Sequence, residues 1–138
     1  LELASIVKKA LPYKNSKKNP ATKVFQALRI YVNNELKELD SLLENALTFL
    51  RPKGRIGIIS FHSLEDRMIK HHFQKLSGKR DNNLPHRHFP LTQKQIKSYN
   101  QPKGKIIKPF PITPEKKELT QNPRARSAKL RIMEKTEA

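Results

Sequence analysis

The sequence predicts half of a wound α/β fold, and three observations predict it. A long stretch with apolar residues at helical spacing gives way to a short β-branched run; a tight polar turn then opens a second amphipathic helix; two alternating segments close the chain. Helix, strand and helix joined by tight turns is the repeating grammar of a sheet covered by helices.

The elements follow in order. Leu3, Ile6, Val7, Ala10 and Leu11 keep helical spacing until Pro12, after which Lys14-Asn15-Ser16-Lys17-Lys18 reads as a linker. From Thr22 to Leu50 the apolar positions Phe25, Leu28, Val32, Leu36, Leu39, Leu43, Ala46 and Leu50 alternate by threes and fours, which predicts one long amphipathic helix. Its start is marked by Asn19-Pro20 or Thr22, and its end by Arg51-Pro52-Lys53-Gly54, with the glycine supplying a left-handed turn. Arg55-Ile56-Gly57-Ile58-Ile59-Ser60-Phe61 lacks polar alternation, as expected of a parallel strand covered on both faces. His62-Ser63-Leu64-Glu65-Asp66 then opens a helix with Ser63 as N-cap, Asp66 completing a Ser-x-x-Asp pattern, and Ile69, Phe73 and Leu76 as the buried stripe. Residues 77–104 are polar and basic and read as a variable, mobile loop with a short helix around Thr92 to Tyr99. Lys105–Phe110 and Ala128–Met133 alternate like strands and are expected to pair as an antiparallel edge, joined by a Pro-rich connection.

Composition narrows the function. The 138 residues allow one domain at most, and 29 Lys and Arg against 12 Asp and Glu leave a net charge of +17, which points to a polyanionic partner. The charge is uneven: residues 21–50 hold three basic and four acidic side chains, whereas 51–80 hold eight and two, and 101–138 ten and four. Positive potential therefore gathers at loops and strand ends, where it attracts phosphate. No run of eighteen apolar residues exists, so a membrane span is not expected, nor is a signal peptide. Without cysteine there are no disulfides and no thiolate sites, leaving five His as soft ligands. The chain begins at Leu1 already in helical rhythm, which suggests a fragment.

In open α/β sheets, ligands sit beyond the carboxyl ends of the parallel strands, which here is Ser60-Phe61-His62-Ser63. A final strand running the other way would start at that same end and bring Asn122-Pro123-Arg124-Ala125-Arg126-Ser127 beside it. His62 could bond a ligand, accept a proton, or tie the turn together. Glu65 and Asp66 fit a capping role in the first helical turn. Arg29 and Asn33, one turn apart, are either partners of a site or a structural pair. Arg124 and Arg126 alternate in a segment read as extended, so both would face one side, for RNA phosphates or for anchoring the loop. Lys8, Lys9, Lys14, Lys17, Lys18, Lys79, Arg80 and Arg87 read as a solvated basic surface first and a phosphate track second. His71, His72, His86 and His88 do not suggest a metal, because adjacent His on a helix diverge and no acidic partner completes a set. The glycines stand at 54, 57, 78 and 104, so no glycine-rich turn follows a strand.

Taken together, Asn19-Pro20-Ala21-Thr22-Lys23-Val24-Phe25-Gln26-Ala27-Leu28-Arg29-Ile30-Tyr31-Val32-Asn33-Asn34-Glu35-Leu36, Ile59-Ser60-Phe61-His62-Ser63-Leu64-Glu65-Asp66-Arg67 and Asn122-Pro123-Arg124-Ala125-Arg126-Ser127-Ala128-Lys129-Leu130-Arg131 closely resemble the RsmH (MraW) family, S-adenosylmethionine-dependent methyltransferases acting on the N4 atom of a cytidine in small-subunit ribosomal RNA. The resemblance is to the C-terminal part of that family. Asn19 stands where the family usually has His, and Lys23 where Arg is common.

The resemblance implies the C-terminal half of a Rossmann-like class I methyltransferase fold, with residues 1–20 the tail of an inserted helical substrate-recognition domain and 21–138 the second half of the methyltransferase domain. It implies that S-adenosyl-L-methionine is bound mainly by an upstream half, that this portion alone is inactive, and that no catalytic, cofactor-binding or metal-binding residue is assigned here. Ser60, His62 and Ser63 would shape the wall of the pocket that receives an unstacked base, with Arg29 and Asn33 behind it. Arg124 and Arg126, with Lys17 and Lys18, would grip the RNA. The implied partner is small-subunit ribosomal RNA or the small ribosomal subunit, in the bacterial cytoplasm or an organelle, with a homodimer left open. Composition alone would instead suit a stand-alone basic RNA-binding or ribosomal protein, and a third reading is a methyltransferase of the same fold acting on DNA or protein.

Overall fold

Asn33 and Asn34 divide the helical stretch that periodicity reads as continuous. In the computed structural model, which describes residues 2–11, 19–78 and 102–136, Asn34 adopts a positive φ of 51°. The stretch becomes two helices, α2 (Ala21–Val32) and α3 (Glu35–Ala46), preceded by α1 (Glu2–Ala10). Asn tolerates the left-handed region and its short amide competes with helical backbone bonding, so an Asn-Asn pair can break a helix without disturbing the apolar rhythm. Lys37 and Glu38 restart the ladder by donating to the Asn34 carbonyl, each at 3.0 Å. At the other end of α2 the Asn19 side-chain oxygen accepts from the Ala21 amide at 3.1 Å.

The chain forms two compact units, Leu1–Glu38 and Leu39–Ala138. In the first, α1 packs with α2 and buries Val7 and Ala21. Phe25, Leu28 and Val32, expected on a buried stripe, are 45% to 73% exposed.

The second unit is built on a three-stranded sheet of β1 (Arg55–Ser60), β2 (Gly104–Ile112) and β3 (Lys129–Lys135) in the order β1-β3-β2, antiparallel throughout. The expected antiparallel pairing of the final two segments is present, with β3 in the middle rather than at an edge. Arg55 to Ser60 pair residue by residue with Glu134 to Lys129. Lys108-Pro109 and Phe110-Pro111 are cis, and the pairing of β2 shifts register between Ile107 and Ile112. β1 is not covered on both faces among the described residues: Ile56, Ile58 and Ser60 turn inward, while Gly57 is exposed and Ile59 is 57% exposed. β1 pairs only with β3 there, so alternation reappears although the sequence is apolar throughout.

Helix α4 (Ser63–Leu76) lies on the inward face, where Ile69 and Phe73 meet Leu43 and Met133 in a buried cluster flanked by Ile56, Ile58, Ile106 and Phe110. The stripe read from the sequence holds, and Phe73 and Phe110 rings stack with centroids 6.4 Å apart. Each such side chain contributes about 1.5–3 kcal/mol through its removal from water. Gly104 is required by this packing, since a Cβ there would lie 2.5 Å from the Met133 sulfur. In the turn after α3 the left-handed residue is Lys53 (φ 63°), not Gly54. Gly54 serves close approach instead, because a Cβ would sit 2.8 Å from the Arg51 carbonyl.

The Pro-rich connection before β3 contains α5 (Lys116–Gln121) and a 3-10 helix, Pro123–Ser127. The short helix expected at Thr92–Tyr99, and nearly all of the 77–104 loop, lie outside the described residues. No helix among the described residues is long and apolar enough to cross a membrane.

Candidate functional site

Antiparallel pairing of Ser60 with Lys129 places the start of β3 at the exit of β1, so the segment ending at Ser127 arrives there, as the sequence suggested. Phe61, Pro123, Arg124, Arg126 and Ser127 line a broad, open depression of about 520 Å³. Arg124 and Arg126 do not alternate in an extended strand. Pro123 suits the first turn of a 3-10 helix, and Ala125, 6% exposed, anchors that turn while both neighbouring arginines remain exposed.

The turn from β1 into α4 is fixed by a capping box centred on His62 rather than Ser63. His62 Nδ1 accepts from the Glu65 amide at 3.3 Å, and Glu65 Oε2 accepts from the amides of His62 (3.3 Å) and Phe61 (3.1 Å). The imidazole thus takes the part that Ser or Thr normally plays. Its Nε2 is buried 3.3 Å from Glu65 Oε1, outside hydrogen-bond geometry. Ser63 becomes the first helical residue and is exposed. Ser60 is 1% exposed, with its hydroxyl 3.5 Å from the Lys129 carbonyl, and does not line the depression.

Asp66 is not a cap. Its carboxylate accepts from Arg131 Nε at 2.8 Å and Lys129 Nζ at 3.1 Å, tying α4 to β3 beneath the strand exit. Burial alone would raise this carboxyl, but the hydrogen bonds and charges of Arg131 and Lys129 outweigh it and hold it below the ordinary value of 3.8. The Arg131 guanidinium carbon sits 4.2 Å from the Phe110 ring centroid, a cation–π contact that covers its otherwise apolar surroundings. On the same helix, desolvation and the Lys75 charge lower His72 below its ordinary 6.5, opposed by the Leu43 carbonyl, Asp40 and Glu44.

Arg29 and Asn33 belong to the first unit and both close on Glu35: Arg29 forms a bidentate pair at 2.8 and 3.0 Å, and Asn33 Nδ2 lies 3.4 Å from the same carboxylate. Within that unit both side chains thus share one carboxylate. Lys17 and Lys18 lie outside the described residues.

Residues 1–136 match the family model described as the MraW methylase family. The chain belongs to this family. It is 49% identical over 134 residues to Ribosomal RNA small subunit methyltransferase H of Buchnera aphidicola from Acyrthosiphon pisum (strain APS), covering 97% of this chain and 41% of that protein. The protein of the same name from Buchnera aphidicola subsp. Schizaphis graminum (strain Sg) is 48% identical over 133 residues, covering 96% of this chain and 41% of that protein. The chain thus spans about two fifths of the length of these curated relatives.

The β1–α4 turn of this MraW-family chain does not fit the methyl donor that such a family implies. The amides of Phe61 and His62 are taken by Glu65, that of Glu65 by His62, and no glycine stands between Gly57 and Gly78 to let backbone approach a ligand. Of the residues singled out in sequence, the depression brings together Arg124 and Arg126. Phe61 was missed as a lining residue; the signal was its parity, which sets it with Ile59 and against Ser60.

Proposed function

We propose that this chain is the downstream portion of an S-adenosylmethionine-dependent methyltransferase acting on the N4 amine of a cytidine in small-subunit ribosomal RNA, in the bacterial cytoplasm. The observation that carries the reading is the 49% identity, over 97% of the chain, to a protein named for small-subunit ribosomal RNA methylation. The methyl donor is held mainly by protein upstream of these residues. This portion grips RNA through Arg124 and Arg126, whose guanidinium forks suit phosphate oxygens. His62 and Ser63 stand at the strand exit beside the target base, and residues 1–20 are the tail of a substrate-recognising insertion. A stand-alone basic RNA-binding protein is not favoured by relatives of this name and identity.

Two measurements test the reading. In the intact enzyme carrying this sequence, Arg124→Ala with Arg126→Ala is expected to lower methyl transfer to small ribosomal subunits by about tenfold at physiological salt; unchanged transfer removes the grip. The 138-residue chain is expected to give no calorimetric signal with S-adenosylmethionine, and micromolar binding contradicts the divided site.

A further inference from the structure

We propose that Phe61 is a stacking platform for an unpaired base of single-stranded RNA, with Arg124 and Arg126 holding the adjoining phosphates. The inference rests on the RNA-modifying reading above and names what the depression at the strand exit takes.

Phe61 is 59% exposed, although Ser60 immediately before it is 1% exposed. The ring stands out from a backbone that is already immobilised, because its own amide is bonded to Glu65 Oε2 at 3.1 Å and the next residue caps α4. A ligand stacking on it therefore meets a platform whose main-chain ordering is complete before binding. The two arginines share the depression, which is open enough to admit a nucleotide from solvent. An apolar ring beside guanidinium groups on a chain of net charge +17 matches the pattern by which proteins hold single strands: aromatic faces for bases, cations for the backbone.

The chemistry also sets the selectivity. Phenylalanine offers a π face and no hydrogen-bonding group, so it reads stacking strength and not base edges, and purines should be preferred to pyrimidines. In a duplex the base faces are already stacked on one another, so paired RNA can reach the arginines but not the ring. A base held here would be a neighbour of the residue being modified and not the reacting one, since Phe61 supplies no acceptor for an amino proton.

The test is equilibrium binding of the intact enzyme carrying this sequence to fluorescent oligoadenylate and oligouridylate of about twelve nucleotides, read by anisotropy over a salt series. Phe61→Ala is expected to weaken oligoadenylate binding about tenfold with an unchanged salt slope, and Phe61→Trp to restore it. Phe61→Leu should behave like the alanine variant, separating stacking from general apolar contact. Arg124→Gln with Arg126→Gln should reduce the salt slope by about 1.4. Thermal unfolding by circular dichroism checks that each variant folds. The proposal is overturned if Phe61→Ala or Phe61→Leu binds like the parent, if paired RNA shows the same dependence on Phe61, or if S-adenosylmethionine competes for the site. Because no methyl transfer is measured, loss of Phe61 dependence sinks the platform while leaving the methyltransferase reading standing. Conversely, an intact enzyme that fails to methylate ribosomal RNA sinks that reading without touching the binding result.

Discussion

Ser60 and Phe61 are adjacent in sequence, yet one is 1% and the other 59% exposed, and the surroundings of each differ as sharply. On the inner side of the strand exit, Asp66, Arg131 and Lys129 form a hydrogen-bonded ionic cluster beside Phe110 and the apolar core. On the outer side, Phe61, Arg124 and Arg126 face an open depression. Both sides carry arginine, but Arg131 is buried and held by a carboxylate that the fold cannot lose cheaply, whereas an arginine left in water is available to a ligand. The comparison teaches that charge count alone does not locate a binding surface; the compensation of each charge does.

The largest effect that would sharpen this contrast is at Asp66. Asp66→Ala leaves Arg131 buried without its carboxylate and is expected to cost about 3–5 kcal/mol in urea unfolding, with single-stranded RNA binding retained at temperatures where the variant is folded. The same variant changes the acid profile. A carboxyl lowered on folding stabilises above its unfolded value of 3.8, and that stability is lost as pH falls through the lower folded value. His72, also lowered on folding, contributes fully above 6.5 and loses its share as pH falls below that. Asp66→Ala should therefore remove the Asp66 share of the loss below 3.8 and keep the His72 share below 6.5.

A smaller effect is expected at the capping box. Glu65→Ala removes the acceptor of two amides and should lower stability by about 1 kcal/mol. It should also weaken oligoadenylate binding modestly, because Phe61 loses the bond that holds its backbone. The smallest effect belongs to the outer arginines: Arg124→Gln with Arg126→Gln is expected to move stability by no more than about 0.5 kcal/mol. A loss as large as that at Asp66 would erase the distinction between the two sides.

Much of this was legible in sequence. The stripe of Ile69 and Phe73 follows from helical spacing, and the pairing of the last two strands from their alternation and from the turn residues between them. The meeting of the β1 exit with Arg124 and Arg126 followed from strand direction alone. The helix break was not legible, because Asn34 changes the backbone without interrupting the apolar period. The role of Asp66 was not legible either: its partners lie 63 and 65 residues away, while a local capping pattern offered a sufficient explanation. His62 was weighed as a tie for the turn, but an imidazole in place of a hydroxyl as the cap is a substitution that propensity does not suggest.

The outermost strands of the sheet are unequal in one further respect. β2 carries Pro109 and Pro111 where its register shifts, so part of that margin has no amide to offer, whereas β1 is free of proline from Arg55 to Ser60. Growth of the sheet by another strand is therefore favoured on the β1 side and hindered on the other.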